Sequence, residues 1–147
     1  DHCVTGVQTC ALPISEPRAS EVMGRYTLSR SDFGAGIDSQ ILSKAKDAYI
    51  ELKPNSEVVL HKVPIIPESG GGRFAIEEFL SRSGTFEISA LGSTEKDNFY
   101  GLHLKVGKLP DPIAHPRFKR SGRTITLSFE YFNGYFTERM VFAREIQ

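Results

Sequence analysis

Cysteine is nearly missing from this 147-residue chain. Only Cys3 and Cys10 occur, both within the first fifteen residues, so residues 16–147 contain none. That excludes a disulfide framework or a thiolate metal site for the main body of the chain. It does not separate cytoplasm from periplasm, since both tolerate proteins without thiols. Charge of one sign is not in excess either, with 18 Lys and Arg against 18 Asp and Glu. Near-neutrality leaves no long-range field to draw the chain to nucleic acid or to an anionic membrane. No apolar run approaches the roughly 20 residues that a membrane-spanning helix needs. Helical periodicity is scarce, and no internal repeat or second domain is evident.

Residues Val4 to Ile14 resemble the in-frame translation of a common short-read sequencing adapter, along eleven consecutive positions. Ser15 is then the junction codon, and Asp1, His2 and Cys3 are upstream linker. Such a scar is excluded before fold reasoning. The missing initiator methionine fits a truncated gene fragment, which leaves open a signal peptide, lipid anchor or membrane helix upstream. Setting residues 1–15 aside leaves 132 residues, the size of one domain with its own core. Asp1 is the only charge lost, so 18 cations face 17 anions. Residues 16–23 are polar and read as a linker, and residues 24–147 as a single domain.

From Gly24 onward the dominant period is two. Tyr26 and Leu28 share one face; so do Ala48, Ile50 and Leu52. The Pro54-Asn55-Ser56 triplet supplies turn chemistry, because proline pre-sets φ and asparagine tolerates the left-handed region. Residues 57–63 resume as a strand, making 47–63 a hairpin. Farther on, Phe86 and Ile88 point inward, as do Tyr100, Leu102 and Leu104. The cleanest alternation is Ile125, Leu127, Phe129 and Tyr131 against Thr, Ser and Glu. Asn133-Gly134 is a strong two-residue hairpin signal, and residues 135–144 return as the last strand. Asp38 is a candidate N-cap for a helix over 38–46, with Ile41, Leu42 and Ala45 at helical spacing. Residues 74–81 read as a short helix, and 67–73 and 107–122 as loops. One-sided alternation over about seven locally joined strands predicts an antiparallel meander. Curling into a small barrel or a two-layer sandwich hides its apolar face and its edges.

Candidate chemistry is sparse. The Ser69–Arg73 glycine run lacks the strand, helix and Lys-Ser/Thr pair of a phosphate loop. His61, His103 and His115 share no metal-binding spacing, so no metal and no cofactor are expected. Arg117, Phe118, Lys119, Arg120 and Arg123 form a basic cluster around one aromatic. Such a cluster on a strand platform suits nucleic acid, but the overall charge gives it no support, so no nucleic-acid partner is expected. No catalytic residue is assigned: there is no nucleophile elbow, and Glu77-Glu78 read as exposed. Glu138 is the one anomaly. A two-residue turn at Asn133-Gly134 sets Phe129 opposite Glu138 and places this carboxylate in the inward row with Met140 and Phe142, where it needs a partner or a wet, ligand-binding pocket. A longer or bulged turn shifts the register by one and turns Glu138 to water; of the two, this is the expected arrangement.

The sequence resembles a family of uncharacterised small bacterial β-rich domains. The matching pieces are Gly24-Arg25-Tyr26-Thr27-Leu28, the strand–turn–strand at 47–63, Ser83 to Ile88, and the closing Thr137 to Phe142. That resemblance carries no activity, but it implies a place behind a lipoprotein signal or membrane segment. Gly24-x-Tyr26 is also similar to the Gly-x-Trp opening of lipocalin-type barrels, in which an arginine from a late strand covers the aromatic. Here tyrosine replaces tryptophan, and Arg139 or Arg144 is the candidate arginine.

The resulting expectation is a non-catalytic bacterial domain, periplasmic or envelope-anchored, with an interaction or structural role. The alternative is a lipocalin-like carrier of a small apolar ligand, and an enzyme is a distant third. Because residues 1–15 are expected to lie outside the fold, deleting them should leave Tm unchanged in a thermal melt. A clear loss of Tm would make the segment native.

Overall fold

The computed structural model describes residues 17–68, 74–93, 98–132 and 137–145. The adapter-like segment, the glycine run at 69–73 and Asn133-Gly134 lie outside the described residues. Eight antiparallel strands follow one another around a closed barrel: β1 Gly24–Asp32, β2 Tyr49–Lys53, β3 Glu57–Ile65, β4 Glu78–Ser93, β5 Asn98–Lys105, β6 Arg117–Ser121, β7 Thr124–Phe132 and β8 Thr137–Glu145. Each strand pairs with the next, and β8 returns to β1. Three short helices accompany them: α1 Ala19–Val22, α2 Ala35–Lys44 and α3 Asp111–Ala114. The barrel, not the sandwich, is therefore how the meander hides its apolar face.

Alternation does the sorting. Ile125, Leu127, Phe129 and Tyr131 of β7 are each exposed by 1% or less, as are Ile50 and Leu52 of β2 and Met140 and Phe142 of β8. Burying a side chain of this size contributes about 1.5–3 kcal/mol. Phe129 and Phe142 meet edge-to-face in the lumen, their centroids 5.7 Å apart. The turn between β2 and β3 holds Asn55 at φ 63°, ψ 26°, in the left-handed region that its side chain tolerates. A bulge interrupts β3: Lys62 has φ 51°, and two residues stand against Ser81 between the Leu60–Arg82 and Val63–Leu80 pairs. The extra residue switches the inward set from Val58 and Leu60 to Val63 and Ile65.

Several elements depart from the sequence reading. The stretch at 16–23 is not wholly a linker, because α1 forms there and Val22 is fully buried against the barrel. Helix α2 begins at Ala35, ahead of Asp38; the Asp38 carboxylate instead accepts from the Phe33 backbone N–H (3.1 Å) and the Ser31 hydroxyl (2.5 Å). Ile41 and Ala45 are buried as expected, but Leu42 is exposed. Residues 74–81 are not a helix. Residues 74–77 run extended, with Glu77 N–H donating to the Ile65 carbonyl, and β4 starts at Glu78. Phe74, Ile76 and Leu80 repeat every second or fourth residue, so the segment satisfies a strand period. Nor is 107–122 all loop: it contains α3 and β6. β6 escapes notice because its one inward apolar residue is Phe118.

The sixteen-residue β4 must leave one neighbour and join another. Thr85 pairs with both Glu57 of β3 and Lys105 of β5, so the strand turns there. Gly84 makes the turn possible, since a Cβ at this position would lie 2.3 Å from the Lys105 carbonyl oxygen. That neighbour is backbone and cannot swing away. Gly84→Ala should therefore lower stability by about 1–3 kcal/mol in urea unfolding. Gly36→Ala, in α2 with nothing near the added carbon, should be neutral or mildly stabilising. Equal effects at the two positions would refute the close-approach account of Gly84.

Candidate functional site at the two ends of the barrel

Polar groups meet the inward rows at the ends of the barrel. At the end where β1 begins, α1 lies beside Tyr26. The fully buried Tyr26 donates its hydroxyl to the Val22 carbonyl at 2.6 Å. The Arg144 guanidinium stands over the Tyr26 ring, 5.5 Å from its centroid, and also donates to the Glu21 carbonyl. Of the two candidate late arginines, Arg144 is the one that covers the aromatic; Arg139 pairs by register with Asp32 and Glu130. Gly24, at φ 133°, is needed for this contact, because a Cβ there would approach Arg144 Cδ to 2.7 Å.

At the opposite end, Tyr131 is exposed by 1% and donates its hydroxyl to the Ile66 carbonyl at 2.7 Å. Phe33 and Phe74 each meet its ring edge-on at 5.2 Å, and meet one another at 6.0 Å. This trio plugs the mouth and fastens the segment after β3 across it. Glu138 lies here. Phe132 pairs with Thr137, two residues off the register that a two-residue Asn133-Gly134 loop sets, and Glu138 faces Tyr131 while Phe129 faces Met140. The expected opposition of Phe129 and Glu138 is thus corrected, as is the outward alternative. A shift of two residues preserves the face, and Glu138 remains in the row of Met140 and Phe142, half-buried at the rim and engaged in an interaction.

Most of the remaining candidates lie on the outer wall. Rings of His103 in β5 and His115 after α3 stack 4.6 Å apart, a contact no spacing rule signals because a whole loop separates them. Their Nδ1 atoms lie 3.4 Å from Glu87 and 3.2 Å from Asp111 respectively. Lys105, then His103, hold the Glu87 carboxyl below its ordinary range. His61 stacks on Tyr49 at 4.8 Å and lies 3.3 Å from Asp47, whose carboxyl is lowered chiefly by Lys62. Among the described residues no three His, Cys, Asp or Glu side chains group as a metal site. In the basic cluster, Arg117 faces Glu130 at 3.7 Å, and Phe118 pairs with Leu127 on the inward side, not outward as a stacking platform. Glu77 and Glu78 are exposed.

The two buried phenols make stability depend on alkaline pH. Burial pushes Tyr131 well above the ordinary phenol range, and the Glu68 charge adds to the rise. Burial also raises Tyr26, against an opposing pull from Arg144. A group whose folded-state pKa is raised contributes stability that is complete below its unfolded value, about 10 for tyrosine. That stability is lost as pH climbs toward the folded value, because the unfolded chain then sheds the proton first. The denaturation midpoint should therefore fall above about pH 10. Tyr131→Phe loses about 1 kcal/mol at neutral pH with its hydrogen bond but should show a shallower alkaline fall. An unchanged alkaline slope in this variant would contradict the assignment.

No protein-family model, no curated protein and no solved structure matched this chain.

Proposed function

We propose that this is a non-catalytic barrel domain that acts through its outer wall and ends, in an interaction or structural role, and not by carrying a ligand in its lumen. The observation that supports this reading is the filling of the barrel. Tyr26, Leu127, Phe129, Tyr131, Met140 and Phe142 occupy its axis with exposures of 1% or less. A carrier site for a small molecule is a concave space of about 300–1,000 Å³, and side chains of this volume take that space. A place in the bacterial cell envelope accompanies the proposal, on the strength of the resemblance carried by 24–28, 47–63, 83–88 and 137–142.

A lipocalin-like carrier is the second reading. It is favoured by the closure of eight meandering strands, β8 to β1, together with Gly24, Tyr26 and the Arg144 guanidinium over the ring. A ligand would then enter past the Phe33–Phe74–Tyr131 plug, with Glu138 at the rim. The two readings part in a titration with a fluorescent fatty acid followed by NMR. The filled barrel should give no saturable shifts at Leu127, Phe129 or Met140. One-to-one saturation at those residues would overturn the first reading and establish the carrier.

A further inference from the structure

An open cleft of about 650 Å³ lies at the Tyr26 end of the barrel, outside the packed lumen. Its lining includes Gly24, Arg120, Ile125 and Arg144, together with Glu21 and Glu145. Register explains why two arginines meet there. Arg120 of β6 and Arg144 of β8 both pair with Ile125 of β7, so all three share the inward side at this end. The backbones of β6 and β8 lie roughly 10 Å apart across β7, which two extended arginine side chains can bridge from either side. At this mouth the inward positions hold cations flanking an apolar floor.

Neither charge is neutralised by a carboxylate among the described residues. The Arg120 Nε donates to the Gly122 carbonyl at 3.5 Å, a marginal bond. Arg144 donates to the Glu21 carbonyl and covers Tyr26, and its buried Nε has no partner. The two carboxylates of the lining have other partners. Glu21 accepts from the Arg18 N–H at 3.2 Å, with the Arg18 guanidinium 3.7 Å away, and Glu145 accepts from Thr124 at 3.4 Å. Arg25, at the outer edge, is held by Glu51 at 3.1 Å and by the Tyr49 ring. Arg120 is exposed, and neither Glu21 nor Glu145 of the same lining forms an ion pair with it or with Arg144, so an added anion would be attracted by both guanidinium groups. Guanidinium forks match the oxygens of a phosphoryl group two at a time.

We infer that the cleft formed by Arg120, Ile125 and Arg144 is a binding site for a phosphoryl group. The site lies at the end away from Glu138 and does not depend on whether the lumen takes a ligand.

The test uses the full chain, isotopically labelled and titrated with inorganic phosphate at low ionic strength. Saturable shifts are expected at the Gly24 and Ile125 amides and at the Arg120 and Arg144 Nε–H signals. Arg120→Gln should weaken binding by roughly tenfold or more, the loss of charge-assisted hydrogen bonds. Lys119→Gln, one residue along but on the outer wall, should leave it unchanged. Arg144→Gln is the less clean variant because it also uncovers Tyr26. Saturation at those four signals with selective loss in Arg120→Gln supports the site. Absence of saturation, equal weakening by Lys119→Gln, or tighter binding of citrate than of phosphate overturns it. Glycerol phosphate and vesicles containing phosphatidic acid then distinguish sources. Preference for the former assigns a soluble phosphomonoester, and sedimentation with the vesicles that Arg120→Gln abolishes assigns a lipid headgroup.

Discussion

The pairing of β1 with β8 turns a curled sheet into a barrel, and the inward rows stay dry only while that seam holds. It joins Thr27 to Ala143, the most distant pairing among the described residues, whereas the other ladders connect neighbouring strands. Closing a loop of that length costs about 4 kcal/mol in chain entropy beyond the constant term. The seam is secured at both ends. At one, Tyr26 bonds to Val22 and carries Arg144 on its ring, binding α1, β1 and β8 together. At the other, Ser31 and the Phe33 backbone are tied to Asp38 on α2. A bulge at Ser29, between the Leu28–Phe142 and Arg30–Val141 pairs, lets β1 curve between these fastenings.

Most of the inward face was legible because a half-buried antiparallel strand must alternate, and Ala48, Ile50, Leu52, Leu102, Leu104 and the β7 row do so without interruption. What escaped the pattern escaped for identifiable reasons. β6 reads Arg-Phe-Lys-Arg-Ser, with a single apolar residue inward, so a period of two has nothing to show. Phe74 to Ser81 places Glu77 and Glu78 side by side among apolar residues, which counts toward either period. The bulge at Lys62 rests on a positive φ at a residue that carries no signature for it. Hairpin register is local chemistry, yet the β7–β8 pairing lies two residues from the one that the Asn-Gly signal sets. The expected outward turn of Glu138 fails for the same reason, since this register pairs it with Tyr131 and keeps it in the inward row.

The stacked His103 and His115 show a different limit. Each histidine taken alone is a solvated side chain beside a carboxylate. Their meeting depends on how α3 and the segment after it fold back on β5, with Leu102 N–H donating to the Pro116 carbonyl at 3.0 Å. Contacts between side chains on separate loops depend on tertiary packing and leave no trace in spacing.

A filled barrel restricts where its inward rows can be polar. Mid-barrel, a charge would lose its water and find no partner, at a cost of several kcal/mol. The inward positions accordingly turn polar at the ends: Ser31 and Glu138 at one, Arg120 and Arg144 at the other. Arg82, paired with Leu60 in mid-strand, is the exception, and it lies beside Gly107 where β4 bends and is exposed. The two rims therefore differ in chemistry. One presents a carboxylate behind an aromatic plug, and the other presents two guanidinium groups around Ile125. Arg144 stabilises Tyr26 and α1, so its place has a structural reason. Arg120 is exposed and meets the Gly122 carbonyl at 3.5 Å, so among the described residues it stands at the water-facing rim without an ion pair.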